Sequence, residues 1–255
     1  MTIDLSGKVA LVTGGARDIG RATVLELAAS GAAVVVNYYA SEERAHALVD
    51  EVASAGGRAV AVRADVTRAA DVDRLVAEAG RAFGGEAPRI DILVNNAGGL
   101  LARKKIDEMD EAFWDAVVAI NMKSVFLVTR AVLPLMPQGG AIVNLSSLAA
   151  HDGGGPGSVA YAASKAAVLT LTRGLSKELG PRKIRVNCVS PGLINTTFHD
   201  TFSKPEGRAA TVARTSVGRE GEPVDVARAI VFLASAAAAY VNGESLEING
   251  GLYFV

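Results

Sequence analysis

The sequence predicts an α/β fold of the doubly wound type: one seven-stranded parallel sheet with helices on both faces. Three observations predict it: short β-branched runs recur along the chain with helical stretches between them, the runs are apolar on both faces, and no Pro/Gly/Ser-rich linker interrupts them. A strand covered by helices on both sides needs apolar side chains in both directions. An unbroken apolar run therefore reads as a buried parallel strand.

The runs are VALVT at 9–13, AAVVVN at 32–37, RAVAVR at 58–63, IDILVN at 90–95, AIVNLS at 141–146, IRVNCVS at 184–190 and SLEIN at 245–249. The first helix is expected over Ile19 to Ser30, where apolar side chains recur three and four apart and Gly31 offers a C-terminal cap. Further helices are expected near 42–55, 71–83, 110–133, 159–179 and 224–235. This alternation makes 1–255 a single domain of Rossmann-like architecture. Two irregular stretches are left, 151–159 with its run Gly153-Gly154-Gly155-Pro156-Gly157, and 192–221. Loops at the carboxyl ends of such strands form the ligand crevice, so the second is the expected substrate loop.

A chain of 255 residues that is 50% hydrophobic and 21% charged can bury a sizeable core. Its 26 basic and 27 acidic residues leave a net charge of -1, with no overall field to attract nucleic acid or an anionic membrane. The expected partner is a small molecule. The one cysteine, Cys188, has no intramolecular disulfide partner and lies in an apolar run, where a buried thiol is expected. The opening MTIDLSGK has no signal-peptide pattern, and the apolar stretch 229–241 falls short of the roughly 18 residues that span a bilayer. A soluble, cytoplasmic protein is expected. No histidine, cysteine and carboxylate spacing suggests a metal site. His151 and His199 read as solvated loop residues, and Phe113, Trp114 and Phe126 as packing residues of a helix.

The chemistry begins where the first strand runs into Thr13-Gly14-Gly15-Ala16-Arg17-Asp18-Ile19-Gly20 and then a helix. That junction presents free backbone N–H groups and the positive end of a helix dipole to a pyrophosphate, and its glycines allow close approach. Asn95-Asn96-Ala97-Gly98 closes the fourth strand, and Tyr161-Ala-Ala-Ser-Lys165 opens a helix with Tyr161 and Lys165 on one face.

TGxxxGxG, NNAG and YxxxK in this order resemble the short-chain dehydrogenases/reductases, in particular the single-domain branch that includes 3-oxoacyl-carrier-protein reductases. The likeness covers essentially the whole chain. It implies a catalytic group of Asn121, Ser147, Tyr161 and Lys165. Tyr161 is the implied acid/base, Lys165 holds the nicotinamide ribose, Ser147 donates to the carbonyl oxygen and Asn121 holds a water of the proton relay. A neighbouring ammonium and a positive nicotinamide are expected to lower the Tyr161 pKa. The resemblance places the cofactor against Gly14, Arg17, Asp18, Ile19, Gly20, Asn37, Tyr38, Ser41, Asp65, Val66, Asn96, Ala97, Gly98, Tyr161, Lys165, Pro191, Gly192, Ile194 and Thr196. It also implies a homo-oligomer, a tetramer in many members.

The chain departs from the family pattern twice. Ser147 lies fourteen residues before Tyr161, one more than is usual, and the glycine-rich loop at 153–157 can absorb the extra residue. Ser146 competes for the role, with hydrogen bonding to a loop backbone as its alternative. Asp18 stands where the middle glycine is usual. It tolerates positive φ and is expected to cap the helix from Ile19, turned away from the phosphates.

The second strand lacks the terminal carboxylate on which NAD selectivity usually rests, and Arg17 resembles a 2′-phosphate ligand, with Tyr38 and Ser41 as hydroxyl partners. NADP(H) is therefore favoured over NAD(H). The expected reaction is hydride transfer between NADP(H) and a ketone or secondary alcohol. The alternatives are a 3-oxoacyl-carrier-protein reductase and a catalytically silent NADP-binding sensor or scaffold.

Overall fold

The computed structural model describes residues 3–84 and 87–255. Its seven strands are β1 Val9–Val12, β2 Ala33–Tyr38, β3 Arg58–Arg63, β4 Ile92–Asn95, β5 Ala141–Leu145, β6 Arg185–Pro191 and β7 Ser245–Ile248. They form one parallel sheet in the order β3-β2-β1-β4-β5-β6-β7. The order reverses between β1 and β4, and the crevice of a doubly wound sheet opens at such a reversal, beyond the carboxyl ends of the strands.

Ten α-helices accompany the sheet among the described residues: α1 Asp18–Ala29, α2 Glu42–Ser54, α3 Ala69–Arg81, α4 Glu111–Val118, α5 Ser124–Val132, α6 Ala149–Asp152, α7 Val159–Leu179, α8 Thr197–Phe202, α9 Pro205–Arg214 and α10 Pro223–Ala234. Successive strand residues feed different cores. Ala10 and Val12 pack with Val24 and Leu27 of α1, Leu48 of α2 and Ile230 of α10. Leu11 faces the other way, with Leu75 of α3 and Val128 of α5. Both faces of the central strands are thus dry, which is why their sequences do not alternate.

Three local outcomes differ from the sequence expectation. The helix expected over 110–133 is interrupted by a π-helical turn, Ala119–Lys123. There the Asn121 amide donates to the Val117 carbonyl at 2.9 Å, so a side chain takes the acceptor that an i–4 backbone bond would use. The stretch 192–221, expected as loop, contains α8 and α9; both are short and without a long apolar repeat to reveal them. Trp114 and Phe126, expected as packing residues, are 40% and 50% exposed, with Met122 beside them in sequence on the same helical segment.

That segment, Glu111–Leu135, is the one stretch among the described residues long and apolar enough to cross a membrane, with a mean hydropathy of 1.7. In the fold, α4 and α5 pack against α7 and α3 respectively. Cys188 is buried in β6, and burial pushes its thiol up.

Candidate active site

The turn after β1 and the turn after β4 are knitted together by Thr13 and Asn96. The Thr13 hydroxyl accepts the Asn96 and Ala97 N–H groups at 3.0 Å each, and the Asn96 amide donates to the Thr13 and Gly14 carbonyls at 2.9 and 3.0 Å. From below, the Asn37 carbonyl oxygen of the side chain accepts the Gly14 N–H at 3.2 Å, while its amide donates to the Ala64 carbonyl at 3.2 Å. Asn37 therefore props the glycine turn from a buried position. Gly14 takes φ +60°, and a Cβ on Gly20 would collide with the Gly14 carbonyl and lie 2.6 Å from the Asn96 amide. Side chains are excluded from the floor of the turn, which leaves a backbone cradle of the kind a pyrophosphate needs.

This cradle opens into a cleft of about 2200 Å³ that continues past β5 and β6 to α8 and α9. Pockets for a single drug-sized ligand run to roughly 300–1,000 Å³. The cleft thus has room for a dinucleotide and a second ligand beyond it. Gly14, Arg17, Asp18, Ile19, Gly20, Asn37, Tyr38, Ser41, Asp65, Val66, Asn96, Ala97, Gly98, Pro191, Gly192, Ile194 and Thr196 all border it, as do Ser147, Tyr161 and Lys165.

Asn121 lies behind the wall, fully buried. Its Oδ1 accepts the Gly99 N–H at 2.9 Å and its Nδ2 donates to the Gly99 carbonyl at 2.8 Å, so the widened helical turn fixes the chain that follows β4. A Cβ on Gly98 would stand 2.7 Å from the Asn121 Oδ1 and 3.0 Å from the Lys165 Nζ, which brings these two distant residues to one point.

Tyr161 and Lys165 reach the cleft from the first turns of α7, and that helix is tied to β5. Asn144 donates to Thr172 at 2.9 Å, and the Ser146 hydroxyl donates to the Lys165 carbonyl at 2.9 Å. The two adjacent serines are thus distinguished: Ser146 is buried and holds the helix, whereas Ser147 lines the cleft beside Tyr161. The Lys165 ammonium donates to the Leu145 carbonyl at 2.8 Å and stands 5.8 Å from the centre of the Tyr161 ring.

Burial pushes the Tyr161 phenol up, and the Ser147 hydroxyl offsets part of that. The expected lowering by a neighbouring ammonium is not found in the protein by itself: desolvation by burial dominates at Tyr161, and the hydrogen bond that opposes it comes from Ser147. Burial lowers Lys165 itself from 10.5 to about 8, against a small opposing effect of Cys188. Lys165 is then charged below about pH 8 and neutral above it. Since kcat/KM for the nucleotide reports groups of the free enzyme, that quantity is expected to fall as pH rises through about 8. A profile flat to pH 9.5 would remove Lys165 from the nucleotide-binding step.

The far wall is aromatic. Phe198 packs on Tyr161 with ring centres 5.8 Å apart, and on Phe202 and His199 at 5.2 and 5.0 Å. His199 is not the solvated residue expected: burial and the nearby Arg208 lower it to about 4, so it is neutral at neutral pH. His151 also has partners, Glu247 at 3.1 Å and the stacked Tyr253 ring. Arg103, which no motif marks, clamps the two irregular stretches together by donating to the Pro156 and Phe202 carbonyls at 2.9 and 3.0 Å. Arg44 and Thr197 at the cleft were likewise invisible to motif reading.

Asp18 corrects the sequence reading. It has φ +51°, a conformation that costs an ordinary L-residue roughly 1–2 kcal/mol and an aspartate less. It does not cap the helix expected from Ile19: α1 begins at Asp18 itself, and its N-terminus has no side-chain cap. The carboxylate instead accepts the N–H and hydroxyl of Thr197, at 3.1 and 2.5 Å. Arg17 donates to the same hydroxyl at 2.7 Å.

The family model described as enoyl-(acyl carrier protein) reductase matches residues 14–253. A 3-oxoacyl-[acyl-carrier-protein] reductase of Synechocystis sp. is 41% identical over 97% of this chain and 98% of its own. The chain belongs to the short-chain dehydrogenase/reductase family. A crystal structure of a dehydrogenase/reductase from Sinorhizobium meliloti superposes with a TM-score of 0.93 at 40% identity, covering 99% of this chain and 98% of the other. A blue fluorescent protein from a metagenomic library, solved in complex with NADPH, superposes with a TM-score of 0.91 at 39% identity over 98% of this chain and all of the other. This short-chain dehydrogenase/reductase is an oxidoreductase with the Rossmann-type sheet of its relatives.

Proposed function

We propose that the protein is an NADP(H)-dependent carbonyl reductase, working reversibly on a ketone or secondary alcohol. The observation that carries this reading is the convergence of Ser147, Tyr161 and Lys165 on a cleft whose other end is the glycine cradle. The cofactor supplies or accepts the hydride. The residues of the chain do the rest.

Gly14 to Gly20 hold the pyrophosphate, Asp65 and Val66 border the adenine end, and Lys165 holds the nicotinamide ribose. Pro191, Gly192, Ile194 and Thr196 flank the nicotinamide. Tyr161, kept protonated by its buried position, carries the proton that a reduced carbonyl oxygen needs. Ser147 donates a hydrogen bond to that oxygen as negative charge develops on it. Asn121 is the proposed holder of the relay water; its side chain, buried behind the wall, is bonded at both ends to Gly99. Phe198 and Phe202 select for a carbonyl with an apolar flank.

A purified sample assayed with NADPH and NADH against a panel of ketones tests the reading; no turnover with any of them would favour the silent-sensor alternative. The panel includes a 3-oxoacyl thioester. The Synechocystis relative favours that second substrate class, and Lys204 and Arg214 at the cleft supply basic side chains for an acidic carrier. Cytoplasmic location and a homotetramer belong to the same reading. The exposed Trp114, Met122 and Phe126 are the surface such an assembly would cover, and sedimentation measures it.

Arg17 is the proposed 2′-phosphate ligand, with Tyr38, Ser41 and the buried Asn37 completing that end of the cleft. Arg17→Ala is expected to lower kcat/KM with NADPH by about tenfold or more and to leave NADH nearly unaffected, since a charge-assisted contact to phosphate disappears. Equal losses with both cofactors would take Arg17 out of the selectivity argument.

A further inference from the structure

Asp18 stands in the glycine turn with a left-handed backbone. At φ +51° a glycine fits without strain, so a carboxylate here must be accounted for by its contacts. Those contacts are 179 residues away in sequence: the N–H and the hydroxyl of Thr197, the first residue of α8. The hydroxyl donates to Asp18 and accepts from Arg17, so the two neighbours share Thr197 without competing for it. The next residue, Phe198, is the ring against Tyr161.

We propose that Asp18 is a positioning residue for the substrate side of the cleft: its carboxylate pins Thr197 to the glycine turn and so holds Phe198 at Tyr161. Two bonds to one residue fix both the position and the rotation of the start of α8. Arg17, half-exposed and bound through a single nitrogen, is free to turn to a phosphate, whereas Asp18 is more enclosed and keeps the tether. The other tethers of α8 run elsewhere: Arg103 holds the Phe202 carbonyl and Arg208 holds Asp200. Among the described residues, the side-chain bonds between the 14–20 turn and α8 are those of Arg17 and Asp18. A cofactor seated on that turn therefore finds the substrate wall already attached to its own binding loop.

The test compares the parent with Asp18→Gly, Asp18→Asn and Thr197→Val. Asp18→Gly is compatible with the positive φ and removes the tether together with the 3.7 Å ion pair to Arg17, which Thr197→Val leaves in place. Amide hydrogen exchange of residues 198–202 is expected to quicken at least tenfold in Asp18→Gly, while exchange in α1 and β1 stays within threefold. In Thr197→Val, which leaves the glycine turn itself untouched, the Kd for NADPH, measured by titration without substrate, is expected to stay within threefold. The KM for the ketone is expected to rise at least fivefold in Asp18→Gly. Asp18→Asn, which tolerates the same φ and keeps an acceptor for the Thr197 N–H, should lie between the parent and Asp18→Gly, and Asp18→Gly combined with Thr197→Val should cost less than the sum of the two single variants, the shared part being the Asp18 bond to the Thr197 hydroxyl and the remainder the Arg17 contact.

Unchanged exchange at 198–202, an additive double variant, or faster exchange without a rise in ketone KM would each overturn the proposal. The kinetic arm rests on the carbonyl-reductase reading. If the parent reduces no carbonyl, that reading fails, and the exchange and double-variant arms decide the tether by themselves.

Discussion

Tyr161→Phe is expected to lower kcat by about 10²–10⁴, the range for losing a positioned proton donor, while Kd for NADPH stays within several-fold. The ring remains, and with it the packing against Phe198 at 5.8 Å; only the hydroxyl beside Ser147 goes. Stopped-flow or steady-state reduction of one good ketone measures it. Retention of more than about a tenth of the parent kcat would show that the proton comes from elsewhere, for which His199 is a poor candidate because burial keeps it neutral.

The adjacent serines give the second large effect, and they separate chemistry from architecture. Ser147→Ala is expected to cost on the order of 10² or more in kcat, through loss of a donor aimed at the developing oxyanion. Ser146→Ala removes a buried hydrogen bond to the Lys165 carbonyl, so its expected cost is about 1 kcal/mol of stability with kcat nearly retained. Thermal unfolding and ketone kinetics on both variants distinguish these outcomes. The opposite ranking would mean that Ser146 faces the substrate in the working enzyme.

The fold was legible because its central strands are buried on both faces. A run such as AAVVVN has few alternatives, and the strand boundaries shift by at most two residues from the expectation. The helix at 159–179 appears with the expected ends, since Tyr161 and Lys165 sit in a long regular pattern. Regularity also misled. The apolar repeat through 110–133 gives no sign that one amide, that of Asn121, would take a backbone acceptor and open the helix. At Asp18, local chemistry supported a cap, and a partner 179 residues away won the carboxylate. Periodicity and spacing report on neighbours along the chain; α8, Arg103 and Thr197 owe their places to contacts that no local window contains.

The reversal of strand order at β1 also dictates when during folding a ligand site can exist. β1 pairs with β2, about two dozen residues on, and then waits for β4, where Ala10 meets Ile92. Closing that long loop must precede any reward from the contact, which makes such parallel sheets slow to assemble. A chain emerging from the ribosome can complete the first two crossovers and still lack the cradle, because Asn96 has not arrived to fasten Thr13 and Gly14. Nucleotide can therefore select and stabilise the finished sheet by mass action but cannot guide its first half. Chains stalled short of residue 96 should fail to bind it at all.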